Sequence, residues 1–223
     1  MIVWVTREEP SDGPLSSALR SARIEVVLEP VIEKRALTDA AKEIGRLGKD
    51  DWLVLTSPFA IRTVAADPAR VPRVAVVGES SERAARARGF HVELLSAQRT
   101  AQSLFEALQK ITQIGKVCYP RSSLIEAPKA WGEVEMISPV LYETVAREFD
   151  RSVIERVDVV SVASPSAARA VGKMDKPFAS IGPSTTRALL EMGITPWVEA
   201  PERSFASLAR AIVRRGHHAK GTD

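Results

Sequence analysis

The chain has one cysteine, Cys118, in 223 residues. A single cysteine excludes an internal disulfide, and no paired Cys or His spacing marks a zinc site. His91, His217 and His218 are the only histidines, and they form no ligand set. Aromatic residues make up 5% of the chain, with just two tyrosines, Tyr119 and Tyr142. Neither sign of charge dominates. Lys and Arg number 31 against 28 Asp and Glu, for a net charge of +3. That balance argues against a nucleic-acid binder, and a mild positive excess suits an acidic small molecule as readily as a plain solvated surface. No apolar run reaches the roughly 18 residues of a membrane span. Met1–Val5 runs straight into Thr6-Arg7-Glu8-Glu9, too short an apolar stretch for a signal peptide. The expectation is a cytoplasmic protein with no metal, membrane or nucleic-acid partner.

What is present reads as an α/β protein. Apolar content of 45% and charged content of 26% are ordinary globular values. The length permits one large domain or two small ones. Short apolar runs alternate with segments of helical period. Strands are expected at Ile2–Val5, Glu25–Glu29, Trp52–Leu55, Arg73–Val77, Phe90–Leu95, Val117–Tyr119, Val134–Ile137, Asp158–Val162, Phe178–Ile181 and Pro196–Glu199. Helices are expected after Pro14, over Leu37–Leu47, after Ser57-Pro58, over Ser80–Arg88, around Leu104–Ile111 and around Ile125–Trp131. Further helices follow Ser164-Pro165, Gly182-Pro183 and Phe205, with Arg214–Asp223 as a frayed tail. Alternating strands and helices predict parallel, doubly wound sheets. Ligands of such sheets bind beyond the carboxyl ends of the strands.

The chain also repeats itself. Ile181-Gly182-Pro183-Ser184-Thr185 echoes Val77-Gly78-Glu79-Ser80-Ser81 at a spacing of 104 positions. Gly89 and Gly193 keep that spacing, as do Ser103-Leu104 and Ser207-Leu208. Thr56-Ser57-Pro58 corresponds to Ala163-Ser164-Pro165, and Val5-Thr6-Arg7 to Tyr119-Pro120-Arg121. Ordered markers at one offset signal duplication, and two copies are too few for a solenoid. Two similar lobes are expected. Each Gly turn opens a helix whose first backbone N–H groups and dipole favour anions.

The ordered set Thr56-Ser57-Pro58, Val77–Ser81, Val140-Leu141-Tyr142-Glu143-Thr144, Ala163–Ser166 and Ile181–Thr185 resembles the uroporphyrinogen-III synthase family. Two positions depart from the family's habit. Phe59 follows the first Ser-Pro where relatives often have a polar residue, and Ser81 stands where they often have Thr. The resemblance implies two lobes, each a small doubly wound parallel sheet flanked by helices, joined by two extended linkers near Val31–Lys34 and Leu141–Arg147. One lobe would be residues 1–32 with 147–223, the other residues 33–146, with a cleft between them. It implies a cofactor-independent lyase of heme biosynthesis, acting as a monomer. Its reaction cyclises hydroxymethylbilane to uroporphyrinogen III, inverting the D ring and losing water. The substrate expels hydroxide readily to give an azafulvene cation, so the protein's task is to orient a floppy chain and assist departure of water.

Carried over residue by residue, the resemblance makes Tyr142 the catalytic acid, since a phenol can hydrogen-bond a departing hydroxyl. Packing of an aromatic ring at a strand end is the competing explanation. Ser57, Ser80, Ser81, Ser164, Ser184 and Thr185 would bind substrate, against the alternative that they only cap or start helices. Arg7 and Arg121 would pair with substrate carboxylates, against the commoner surface arginine. Tyr119 reads as core. The functional alternative is a non-catalytic two-lobed binding protein or sensor for an acidic metabolite, which has no special need for Tyr142.

Overall fold

A computed structural model describes residues 1–37, 44–70, 73–98 and 100–220, without the side chains of 217–220. The described chain divides into two compact units. Unit 1 comprises Met1–Glu33 with Val145–Asp223, and unit 2 comprises Lys34–Thr144.

Unit 1 is built on five strands: β1 (Ile2–Val5), β2 (Glu25–Leu28), β11 (Val159–Val162), β12 (Phe178–Ser180) and β13 (Val198–Glu199). They lie in the order β13-β12-β11-β1-β2, and each neighbouring pair is parallel. The helices are α1 (Pro14–Ser21), α5 (Val153–Arg156), α6 (Pro165–Val171), α7 (Pro183–Glu191) and α8 (Phe205–Lys220). The run Ile-Val-Trp-Val of β1 is apolar at every position because helices cover both faces of the sheet. Successive side chains of a strand face opposite ways. Trp4 therefore packs with Val160, Phe178 and Leu189 on one side. Val3 and Val5 pack with Leu15, Leu208 and Ile212 on the other.

Unit 2 repeats this plan. Its strands β4 (Trp52–Leu55), β5 (Arg73–Val76), β6 (Val92–Leu95), β7 (Val117–Cys118) and β9 (Met136–Ile137) lie in the order β6-β5-β4-β7-β9. All four pairings are parallel. Helices α2 (Pro58–Thr63), α3 (Glu79–Ala87) and α4 (Ala101–Leu108) flank the sheet. Leu53 and Leu55 face Ile61 and Phe90. Trp52 and Val54 face Leu104, Leu108 and Tyr119. Both units are thus doubly wound α/β lobes. Cys118 is buried in the second and free.

The two crossings between units are strands, β3 (Ile32–Ala36) and β10 (Val140–Ala146). With β8 (Arg121–Ser122) they make a three-stranded sheet ordered β3-β10-β8. The N–H of Leu37 donates to the carbonyl of Leu141, and that of Arg147 to Val31. Partners that fall as the other strand rises make β3 and β10 antiparallel.

Two expectations are corrected. No helix forms around Ile125–Trp131, where the chain is irregular after Ser122. Pro128 removes a donor and holds Ala127 away from helical angles, and exposed Leu124 and Ile125 offer no buried stripe. The residues after Arg214 continue α8 to Lys220 instead of fraying. Within that stretch Gly216 approaches Met1 so closely that a Cβ there would lie 3.0 Å from Met1 Cε. The short helix α5 has no counterpart among the expected elements, being a single turn too brief for a period to show. The helix expected over Leu37–Leu47 falls largely on 38–43, outside the described residues. The exposure expected of His217 and His218 concerns side chains outside them too.

Candidate active site

A ligand site in a doubly wound sheet lies where the strand order reverses, past the carboxyl ends. In unit 2 that point falls between β4 and β7. Thr56 and Ser57 follow β4, and Tyr119 follows β7. The Thr56 hydroxyl lies 3.3 Å from the Tyr119 hydroxyl. The Ser57 hydroxyl lies 3.4 Å from that of Tyr142. The chain's two tyrosines therefore meet two consecutive hydroxyls at the end of one central strand.

Tyr142 is delivered by β10 and is 8% exposed. Its ring belongs to the core of unit 2 and lies 4.8 Å from the ring of Phe59. The residue lies inside β10, with its ring packed in the core and its hydroxyl beside Ser57 at the end of β4. Lys34, on β3, brings its ammonium 5.3 Å from the Phe59 ring centre and 5.6 Å from that of Tyr142. Composition and period give no sign of Lys34, because it reaches Tyr142 only through the pairing of β3 with β10. The core reading of Tyr119 is correct for its ring, but its hydroxyl stands at the strand end. The adjacent Thr56-Ser57 hydroxyls are the signal that could have found it.

The remaining unit 2 candidates surround this point unevenly. Ser57 caps α2 by accepting the N–H of Ala60 at 3.0 Å, so it serves the helix and faces Tyr142 at once. Ser80 is exposed and Ser81 buried in the first turn of α3. Gly78 caps that helix with φ +80° and no side-chain bond, a conformation that favours glycine. Arg121 sits on β8, whose next residue, Ser122, is paired with Tyr142. Its guanidinium donates to the carbonyls of Ser122 and Ile125, and its buried Nε has no partner.

In unit 1 the order reverses between β1 and β11, which places Arg7 and Ser164 past the strand ends. Arg7 is already engaged. It pairs with the carboxylate of Glu9 and lies over the Phe205 ring at 4.1 Å. Glu9 is itself held by the Ser16 N–H and hydroxyl, at 2.7 and 2.6 Å. Ser164 caps α6 through the N–H of Ala167 and lies 3.0 Å from the Ser166 hydroxyl. Ser184 and Thr185 do not cap α7. Its cap residue is Gly182, with no side-chain bond. Ser184 is exposed, while Thr185 is buried with an unpartnered hydroxyl. Among the described residues no hydrogen bond joins Arg7, Ser164, Ser184 and Thr185 to one another. Nor does any group of three His, Cys, Asp or Glu among the described residues form a metal cluster.

Unit 2 thus offers a phenol next to a hydroxyl, with a cation over the adjoining rings. Both units offer helix starts not filled by their own side chains. This is equipment for proton donation and for holding carboxylates. Comparison with known proteins identifies the family. The family described as HEM4, uroporphyrinogen-III synthase HemD, matches residues 13–210. No curated protein sequence matches the chain. Among solved structures, the uroporphyrinogen-III synthetase of Helicobacter pylori 26695 superposes with a TM-score of 0.63 at 16% identity, covering 94% of this chain and 96% of that one. A mutant uroporphyrinogen III synthase of the extremely thermophilic bacterium Thermus thermophilus gives 0.52 at 14% identity, covering 97% and 98%. These likenesses establish the fold, and the family match spans nearly all of both units. The chain belongs to the uroporphyrinogen-III synthase family and is a cyclising lyase of heme biosynthesis.

Proposed function

We propose that Tyr142 is the general acid of the cyclisation and that Ser57 orients its hydroxyl. The reading rests on the 3.4 Å approach of these two hydroxyls at the end of a central strand. Hydroxymethylbilane loses its terminal hydroxyl as the C–O bond breaks, and both electrons leave with oxygen. The Tyr142 proton converts that oxygen to water, leaving a phenolate and an azafulvene cation. The D ring attacks the cation through its substituted carbon to give a spiro intermediate. The bond from that carbon to the bridge of ring C then breaks. The freed cationic bridge is taken by the D ring's unsubstituted α-carbon, and the proton lost from that carbon as aromaticity returns goes back to the phenolate. No metal or organic cofactor takes part in this scheme. General acids of this kind contribute about a hundredfold or more. Holding one conformation of the bilane supplies the rest.

Ser80 and Ser81 on unit 2, and Ser164, Ser184 and Thr185 on unit 1, bind substrate carboxylates through hydroxyls and first-turn N–H groups. Arg7 and Arg121 supply guanidinium donors. The functional lobes are residues 1–32 with 147–223 and residues 33–146. The protein acts in the cytoplasm as a monomer without nucleic-acid partners. Among the described residues no helix is long and apolar enough to cross a membrane. The deciding experiment supplies hydroxymethylbilane and separates the uroporphyrinogen isomers after oxidation. Isomer III is expected. If only the spontaneous type I isomer forms with folded protein present, the reading is wrong.

A further inference from the structure

We propose that Tyr119 is a positioning residue for the cyclisation: acting through Thr56, its hydroxyl fixes the strand-end corner from which Ser57 meets Tyr142. The inference rests on the reading of Tyr142 as the acid given above. Along β4 successive side chains face opposite sides of the sheet. Trp52 and Val54 belong to the core that holds Tyr119, whereas Leu53 and Leu55 belong to the core that holds Tyr142. The backbone is still extended at Ser57, with φ −137° and ψ 144°, so the alternation runs on past the strand. Thr56 falls on the Tyr119 side and Ser57 on the Tyr142 side. The two phenol oxygens meet them there, at 3.3 and 3.4 Å. One two-residue corner is thus held from both faces of the sheet by the chain's only two tyrosines.

Tyr119 is a firm support. Its N–H donates to the carbonyl of Ile137 at 2.7 Å, and its own carbonyl accepts the Ser138 hydroxyl at 3.1 Å. The Phe105 ring stands edge-on to its ring, 5.4 Å away. Packing alone accounts for the ring and would be met by phenylalanine; it leaves the hydroxyl and its reach to Thr56 unexplained. The corner also starts α2, since Ser57 accepts the Ala60 N–H at 3.0 Å. With one lone pair so occupied, the Ser57 proton is available to the Tyr142 oxygen. Donated there, it leaves the phenol's own proton for the departing hydroxyl and stabilises the phenolate that remains. A hydroxyl contact near the limit of hydrogen-bond length weakens steeply with a small rotation of the corner. Thr56, bonded to Tyr119, resists that rotation.

The test uses initial rates of isomer III formation. Tyr119→Phe keeps the ring and is expected to lower kcat about tenfold, the factor carried by one ordinary hydrogen bond, with KM held within about twofold. Thr56→Val should do the same, and Thr56→Ser should restore kcat to within about threefold. The double variant Tyr119→Phe with Thr56→Val should be no slower than either single one. Melting temperatures should fall by less than about 4 °C. In a Tyr142→Phe background, Tyr119→Phe should lower kcat less than about twofold, because its route to the reaction is gone. With carbon-13 at the tyrosine ζ position the protein gives two signals. Thr56→Val should shift both, that of Tyr119 directly and that of Tyr142 across the corner. Unchanged kcat in Tyr119→Phe overturns the proposal, as does a tenfold loss that persists in the Tyr142→Phe background. So does a Tyr142 signal that Thr56→Val leaves in place. A fall of kcat in Tyr142→Phe with none in Tyr119→Phe removes the support and keeps the acid. Unchanged kcat in Tyr142→Phe removes the acid, and the support that acts through it falls too.

Discussion

Tyr142 keeps its ring packing if its hydroxyl is removed, because the ring lies against Phe59 within the unit 2 core. Tyr142→Phe is therefore expected to slow isomer III formation about a hundredfold. Stability should change by less than about 1 kcal/mol, as befits loss of one long hydroxyl contact. Isomer separation and a thermal melt check both halves. The serines separate differently. Ser57 and Ser164 each accept a helix-starting N–H, so either one changed to Ala costs about 1 kcal/mol of stability. Ser57→Ala should also slow turnover. Ser184 caps nothing, so Ser184→Ala should leave the melt unmoved and raise KM. A fall in its melting temperature would show that the hydroxyl serves the fold. Tyr142 is legible through its place in a recognisable string of motifs. Lys34 is not, since it stands far from Tyr142 in the chain and reaches it only through strand pairing. Arg7 is legible as a strand-end cation, but its engagement by buried Glu9 is not, because nothing local pairs positions 7, 9 and 16.

Neighbouring strands β5 and β6 are clamped at their rim by Arg73 and Glu93. Two guanidinium nitrogens of Arg73 donate to that carboxylate, with a closest approach of 2.7 Å. The hydrogen bond from Arg73 holds the Glu93 carboxyl below its usual range and raises Arg73 above its own, against a smaller opposing effect of burial. A carboxyl whose affinity for protons is lowered by folding adds stability above its unfolded titration. That stability drains away as pH falls through the folded titration. The clamp should therefore be intact at neutral pH and fail below the ordinary glutamate range. Glu93→Gln should lower the melting temperature at neutral pH and narrow its gap to the unaltered protein in acid. A gap constant with pH would refute the linkage. At this scale most elements are readable from the sequence. Apolar runs such as Trp52–Leu55 are buried on both faces, and Ser-Pro and Gly-Pro pairs open helices where proline's missing donor costs nothing. The failures have tertiary causes. Near the end of α8, Gly216 lies against Met1, an approach between positions at opposite ends of the chain.

Each unit has a sheet and a core of its own, and unit 2 is a continuous stretch, Lys34–Thr144. Its two ends are neighbours, since Leu37 bonds Leu141 across β3 and β10. Residues 34–144 expressed alone are expected to fold cooperatively, with a native near-ultraviolet circular dichroism signal. A broad, non-cooperative melt would show that the core is not self-sufficient. The duplication is visible in ordered Gly and Ser-Pro markers. The discontinuity of unit 1 follows from the family resemblance alone, because a repeat at one offset suggests consecutive halves. The glycine starts of α3 and α7 bear on the molecule as a whole. A helix that begins on serine closes its first turn with its own atoms. These two begin on Gly78 and Gly182, which make no side-chain cap bond, and under the proposed function each would receive a substrate carboxylate. On that reading the ligand is bound by the native chain and not by the unfolded one. A polycarboxylate at about a hundred times its dissociation constant adds about 2.7 kcal/mol to native stability. The oxidised reaction product should raise the melting temperature accordingly, and its fully esterified form should not. In the cell, the protein's lifetime would then follow the supply of its own substrate.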